Sequence, residues 1–144
     1  DAHEPPVIII DMGTATTITV IGPNSRLLGG AILPGAAVSL EALSGAASLL
    51  PRVSLDAPKR AIGSGTIECM KSGAVFGSAC AIDGMIERME AELGGRAALV
   101  ATGGLAGRII PYCRHEIEID DYMLLRGLSL IWQRNRRERR REAK

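Results

Sequence analysis

Residues 7–10 are apolar without a break, VIII, and end in Asp11, which predicts a strand covered on both faces with a carboxylate at its end. A glycine and three threonines follow at Gly13, Thr14, Thr16 and Thr17, and the apolar pattern resumes at Ile18–Ile21. The stretch reads as strand, tight turn, strand, with an acid and hydroxyls at its tip. Gly22-Pro23-Asn24-Ser25 is a dense turn signal. Arg26–Leu33 supplies the next strand, so residues 16–33 form a hairpin or meander. Beyond Pro34-Gly35 the apolar spacing becomes helical, through Val38, Leu40, Leu43, Ala47 and Leu50, and Pro51 is the expected stop.

Residues 52–65 carry no period. A long helical pattern then runs from Thr66, the expected N-cap, to Leu93, with Glu68 in its first turn. Gly73, Gly77 and Gly84 recur in it at near-helical spacing. Each costs about 1 kcal/mol against alanine, so the glycine face is expected to pack closely on another backbone. Gly94-Gly95 end the helix, and Ala98–Ala101 form a strand running into Thr102-Gly103-Gly104. Leu105–Cys113 read as helix, Glu116–Ile119 as a short strand, and Tyr122–Trp132 as the last helix. The order β-β-β-α-α-β-α-β-α, with an antiparallel start and βα units after it, predicts an α/β fold with a mixed sheet.

Composition refines this picture at three points. The 144 residues are 47% hydrophobic but only four are aromatic (Phe76, Tyr112, Tyr122, Trp132), so the core must be aliphatic and alanine-rich. The end RNRRERRREAK holds seven basic and two acidic residues, which leaves ten basic against fourteen acidic in the body. A solvated helix end explains the arginines, and the acidic body argues against nucleic acid as the main partner. Cys69, Cys80 and Cys113 lack metal-type spacing. Cys69 and Cys80 stand eleven apart, about 16 Å along a helix, too far for a disulfide, and all three read as small core residues of a reducing, cytoplasmic protein. No apolar run is long enough to cross a bilayer.

The remaining polar candidates have plain roles. His3 and His115 read as surface residues, Asp120-Asp121 as helix caps, and Asp83 as a buried partner in a dimer interface. No Ser-His-Asp arrangement stands out. The opening DAHEPP enters a strand within a few residues and reads as cut from something longer.

Five stretches, DMGTATT at 11–17, GGAILPG at 29–35, GSGTIECMKSG at 63–73, TGG at 102–104 and RGLSLI at 126–131, occur in one order and spacing. Together they resemble the C-terminal half of a type III pantothenate kinase, a member of the actin-like, hexokinase-like and Hsp70-like phosphotransferases. The resemblance runs from about Val7 to Asn135. It implies a ribonuclease H-like (actin-like ATPase) domain over residues 1–135, a basic tail over 136–144 as a helix extension or disordered end, and an N-terminal phosphate-loop domain outside this chain.

Phosphoryl transfer needs positioning and charge neutralisation more than covalent chemistry, which backbone N–H groups, hydroxyls and a cation-holding carboxylate can supply. By the resemblance, Asp11 holds a monovalent cation, K+ or NH4+, and Gly13 and Thr14 meet ATP phosphate. Thr102, Gly103 and Gly104 lie beside the nucleotide, Thr66 contacts pantothenate, and Mg2+ accompanies ATP. Read without the resemblance, residues 11–17 are a threonine-rich hairpin whose Asp11 caps the turn. The resemblance also implies a homodimer, with the helix at 66–93 in the contact.

Two departures stand out. Thr19 occupies the place of a second aspartate, and the upstream GxDR motif that carries the catalytic base occurs nowhere in the chain. The expectation is a kinase half that is inactive alone; the alternative is a non-catalytic regulatory relative of the same fold.

Overall fold

The unbroken apolar run at residues 7–10 makes β1 (Val7–Met12) the centre of a five-stranded sheet of order β3-β2-β1-β4-β5. β2 (Ala15–Ile21) and β3 (Leu27–Pro34) continue from it antiparallel, whereas β4 (Ala98–Thr102) and β5 (Glu118–Ile119) lie parallel on its other side. This computed structural model describes residues 3–142.

One face of the sheet is closed. Ile8, Ile10, Met12, Thr16, Ile18 and Val20 are buried there beneath helices α1 (Ala36–Ala46) and α2 (Thr66–Leu93). On the other face Val7 is buried, Ile9 is half-buried and Asp11 is exposed, so the expected covering of β1 on both faces is complete on one face only. The turn is also shorter than the sequence reading had it. β2 begins at Ala15, so Thr16 and Thr17 belong to the strand, and Gly13-Thr14 alone make the connection.

α1 ends at Ala46 rather than at Pro51. The Ser44 hydroxyl lies 3.1 Å from Leu40 O and 2.9 Å from Pro51 O, folding the chain back before the proline is reached. α2 lays Met70, Val75, Ala79, Ile82 and Ile86 on the sheet. Its glycines face outward: a Cβ at Gly73, Gly77 or Gly84 would meet nothing within 4 Å, so the close packing expected of that face does not occur within this chain. Cys69 and Cys80 sit on the same exposed side and are not core residues; Cys113 is half-buried.

The segment at 105–113 divides into α3 (Ala106–Ile109) and a 3-10 turn at Ile110–Tyr112, because Pro111 cannot supply the amide that would continue the helix. The loop after it hangs on α2. Asp83, 1% exposed, accepts the N–H groups of Arg114 (2.9 Å) and His115 (3.2 Å) and lies 2.7 Å from His115 Nδ1. Asp83 is therefore satisfied inside the chain rather than at a dimer contact, and His115 is half-buried rather than a free surface residue. Burial pushes the Asp83 carboxyl up, while the His115 ring and the two N–H groups pull it further the other way, to below its ordinary value.

Asp120 precedes α4 (Met123–Glu142) as expected of a cap. It accepts the Tyr122 N–H at 3.0 Å and pairs with Arg126. α4 carries the basic end as a helix extension through Glu142; residues 143 and 144 lie outside the described range. No described helix is long and apolar enough to cross a membrane.

Candidate functional site

Because β1 and β4 are parallel, their C-terminal ends lie side by side, and both run into glycine turns. Asp11, the penultimate residue of β1, is in register with Thr17 on β2 and Thr102 on β4. Gly103 follows with φ +96°, and a Cβ there would stand 2.7 Å from Asp11 Oδ1 and 2.7 Å from Met12 O. A side chain at 103 would be both strained and in collision, so glycine is what lets this turn approach Asp11. Leu105 N–H to Met12 O (3.0 Å) and Ala106 N–H to Gly103 O (3.0 Å) lock the approach.

The β1–β2 turn is braced from a third direction. Gly13 N–H donates to Ala15 O at 2.9 Å, and Gly35 N–H donates to Thr14 O at 3.1 Å. A Cβ at Gly35 would lie 2.3 Å from Thr14 O and 2.6 Å from Gly13 O. Gly35 is also the N-cap of α1 and makes no side-chain cap bond, so the open first-turn amides of α1 start beside Thr14. A helix N-terminus favours negative charge, as does a turn of free amides.

The structure thus brings Asp11, Gly13, Thr14, Thr102, Gly103 and Gly104 onto one rim, with Asp11, Thr14 and Gly104 exposed on it. The Asp11 carboxylate enters no ion pair among the described residues. Sequence reasoning assigned Gly35 only a helix start. Its contact with the Thr14 turn is non-local, and a Pro-Gly step after a strand is the only sequence signal for it.

Thr66 lies elsewhere, on a cleft of about 770 Å3 walled by Ser48–Pro51 on one side and Ser64–Glu68 on the other. None of the rim residues lines it. Thr66 is also not the N-cap: Gly65 holds that place in an extended conformation, and Thr66 is the first helical residue. Ser64 and Glu68 instead tie the residue before the cap to the first turn. Glu68 Oε2 accepts the Ser64 hydroxyl (2.6 Å) and N–H (2.9 Å), and these two bonds, the hydroxyl first, hold the Glu68 carboxyl below its ordinary value. The Thr66 hydroxyl is left out of the cap.

A family model described as type III pantothenate kinase matches residues 1–88. The chain belongs to the type III pantothenate kinase family. Among curated members, the type III pantothenate kinase of Moorella thermoacetica is 45% identical over 130 residues, 90% of this chain and 51% of that protein. That of Myxococcus xanthus is 41% identical over 135 residues, 94% of this chain and 53% of its own. The chain spans about half the length of the curated relatives it matches. A crystal structure from Campylobacter jejuni, of a conserved protein provisionally named for the Baf family of transcriptional activators, superposes with a TM-score of 0.69 at 26% identity. It covers 92% of this chain and 59% of that one.

Proposed function

We propose that this chain is the C-terminal half of a type III pantothenate kinase. The complete enzyme would move the γ-phosphoryl group of ATP to the 4′-hydroxyl of pantothenate, giving ADP and 4′-phosphopantothenate on the way to coenzyme A. The observation that carries this reading is the rim at the ends of β1 and β4, found in a member of that kinase family. We read the sheet order β3-β2-β1-β4-β5 as the ribonuclease H-like, actin-like arrangement.

The chain's own residues contribute positioning. Gly13, Thr14 and the open end of α1 offer amides and a hydroxyl to phosphate oxygens, and Thr102, Gly103 and Gly104 form the facing edge. Asp11 fits a monovalent cation: a single unpaired carboxylate, in register with the hydroxyls of Thr17 and Thr102, is an all-oxygen donor set of low charge. Such a cation would offset phosphate charge. Mg2+ would arrive on ATP.

The base that deprotonates the 4′-hydroxyl belongs to the half outside this chain. Thr66, on its cleft, would hydrogen-bond pantothenate. The outward glycine side of α2 is the surface we assign to a second copy of the chain, in a homodimer. Three unpaired cysteines suit the reducing cytoplasm.

The assignments separate by kinetics in a complete polypeptide, made by joining this chain behind the half of the Moorella thermoacetica enzyme that it does not cover. Thr66→Val should raise the KM for pantothenate about tenfold, the worth of one lost hydrogen bond, and leave the KM for ATP within about twofold. Thr14→Val should do the reverse. Equal effects of both substitutions on both substrates would remove the two assignments.

A further inference from the structure

The loop that walls one side of the Thr66 cleft is fastened to α2 by side chains of α2 itself. The Ser72 hydroxyl, on a residue 8% exposed, donates to Ala61 O at 2.5 Å. Cys69 Sγ lies 3.5 Å from Gly63 O. Glu68 Oε2 takes both the hydroxyl (2.6 Å) and the N–H (2.9 Å) of Ser64. The fastenings thus descend α2 towards its N-terminus while the loop rises to the cleft. The last of them holds Ser64, next to the wall residues Gly65 and Thr66.

The Glu68 contact reaches further than helix capping requires. In a capping box the carboxylate at the third helical position accepts the N–H of the N-cap residue. Here Gly65 is the N-cap and Glu68 is the third helical residue, yet its carboxylate accepts from Ser64, one residue earlier. Gly65 itself is extended, with φ −151° and ψ 168°, and has no side chain to restrict it. Its place in the wall therefore depends on its two neighbours, Ser64 held by Glu68 and Thr66 held by the helix.

We propose that Glu68 is a positioning residue for pantothenate, acting through Ser64 to hold the Gly65–Thr66 wall in the shape the substrate meets. The proposal rests on the reading of Thr66 as a pantothenate contact. A wall already ordered in the free protein loses less entropy when substrate binds, and the difference appears as affinity. ATP gains nothing from it, because no rim residue lines the cleft. A side chain that only stabilised the end of α2 would change stability and leave the two substrates equally affected.

Steady-state kinetics of the joined polypeptide described above test this. Glu68→Ala should raise the KM for pantothenate about tenfold, with kcat and the KM for ATP within about twofold. Glu68→Gln keeps an oxygen that can accept both Ser64 bonds and should bring the KM back to within about threefold of wild type. Ser64→Ala, which removes the hydroxyl bond from the other end, should raise it about threefold. Lys71→Ala loses only the ion pair with Asp56, on the same loop, and should leave it within about twofold. Thr66→Val combined with Glu68→Ala should add little to the larger single effect, because both act at one contact. Glu68 is exposed, so the variants keep the fold, as urea denaturation would verify. An unchanged pantothenate KM in Glu68→Ala overturns the proposal, as do equal rises for both substrates, no restoration by Gln, or Glu68 and Thr66 effects that multiply. Calorimetric titration with pantothenate reads the underlying assignment separately. A wild type that binds no pantothenate removes the substrate reading and the proposal with it, whereas equal binding by wild type and Glu68→Ala removes the proposal alone.

Discussion

α2 and α4 are the two long helices of the molecule, and they differ in how far their apolar sides are buried. α2 lays Met70, Val75, Ala79, Ile82 and Ile86 on the sheet and clamps the 114–115 loop with Asp83, while its outer side carries glycines and Cys69 and Cys80. α4 presents a wider apolar side and buries none of it within the described residues. The first helix is the backbone of this half. The second is exposed at every residue from Leu128 to Arg137.

The contrast can be broken most directly with one substitution on each helix. Ile82→Ala, at a site 1% exposed, should destabilise the chain by about 2–5 kcal/mol through lost burial and the cavity it leaves. Ile131→Ala on α4 should change it by less than about 0.5 kcal/mol. Urea denaturation of both variants decides the matter; comparable losses would mean that α4 is packed after all.

Asp83→Ala comes next, at about 1–3 kcal/mol, because it strands the part-buried amides of Arg114 and His115. The same carboxylate sets an acid limit. Its pKa is lower in the folded chain than in the unfolded one, so its contribution is present above the unfolded value of about 3.9 and is lost as pH falls through the folded value. Stability of the wild type should therefore drop below about pH 4 more steeply than that of Asp83→Asn. Parallel curves would show that Asp83 is not the group responsible.

Gly35→Ala should follow at about 1–3 kcal/mol, since its Cβ would enter the Thr14 carbonyl and the turn must shift. The smallest effect is chemical. Cys69 and Cys80 on the outer side of α2 should react readily with a maleimide at pH 8. Cys113, whose thiol is pushed up to about 12 by burial and then by the charge of Asp83 and by Cys80, should react more than about tenfold more slowly. Equal rates would place Cys113 in solvent.

Much of the fold was legible because local pattern and tertiary role agree. The unbroken Val7–Ile10 run, the turn signals at 22–25 and the capping glycines at 94–95 each mark what the structure contains. The misreadings occur where non-local contacts decide. Nothing in the period of residues 36–50 shows that Ser44 will bond Pro51 O, and nothing near Asp83 shows that residues 114 and 115 will lie against it. Cys69 and Cys80 share one side, as their spacing required, but spacing does not say which side meets the sheet.

For the candidate site, motif order singled out Asp11, Thr14 and Gly103 before their meeting could be seen, since parallel pairing of residues 7–11 with 98–102 joins turns about ninety residues apart in sequence. Gly35 was missed because its role is a close approach to Thr14, visible only once α1 is placed against the turn.

Turnover in the joined polypeptide, with pantothenate and ATP supplied and K+ present or withheld, is the most direct test of the kinase assignment. The prediction is K+-stimulated formation of 4′-phosphopantothenate and ADP in equal amounts, with the K+ stimulation lost in Asp11→Asn. A folded polypeptide that binds neither substrate and forms no product, or turnover whose K+ response is unchanged by Asp11→Asn, would contradict it.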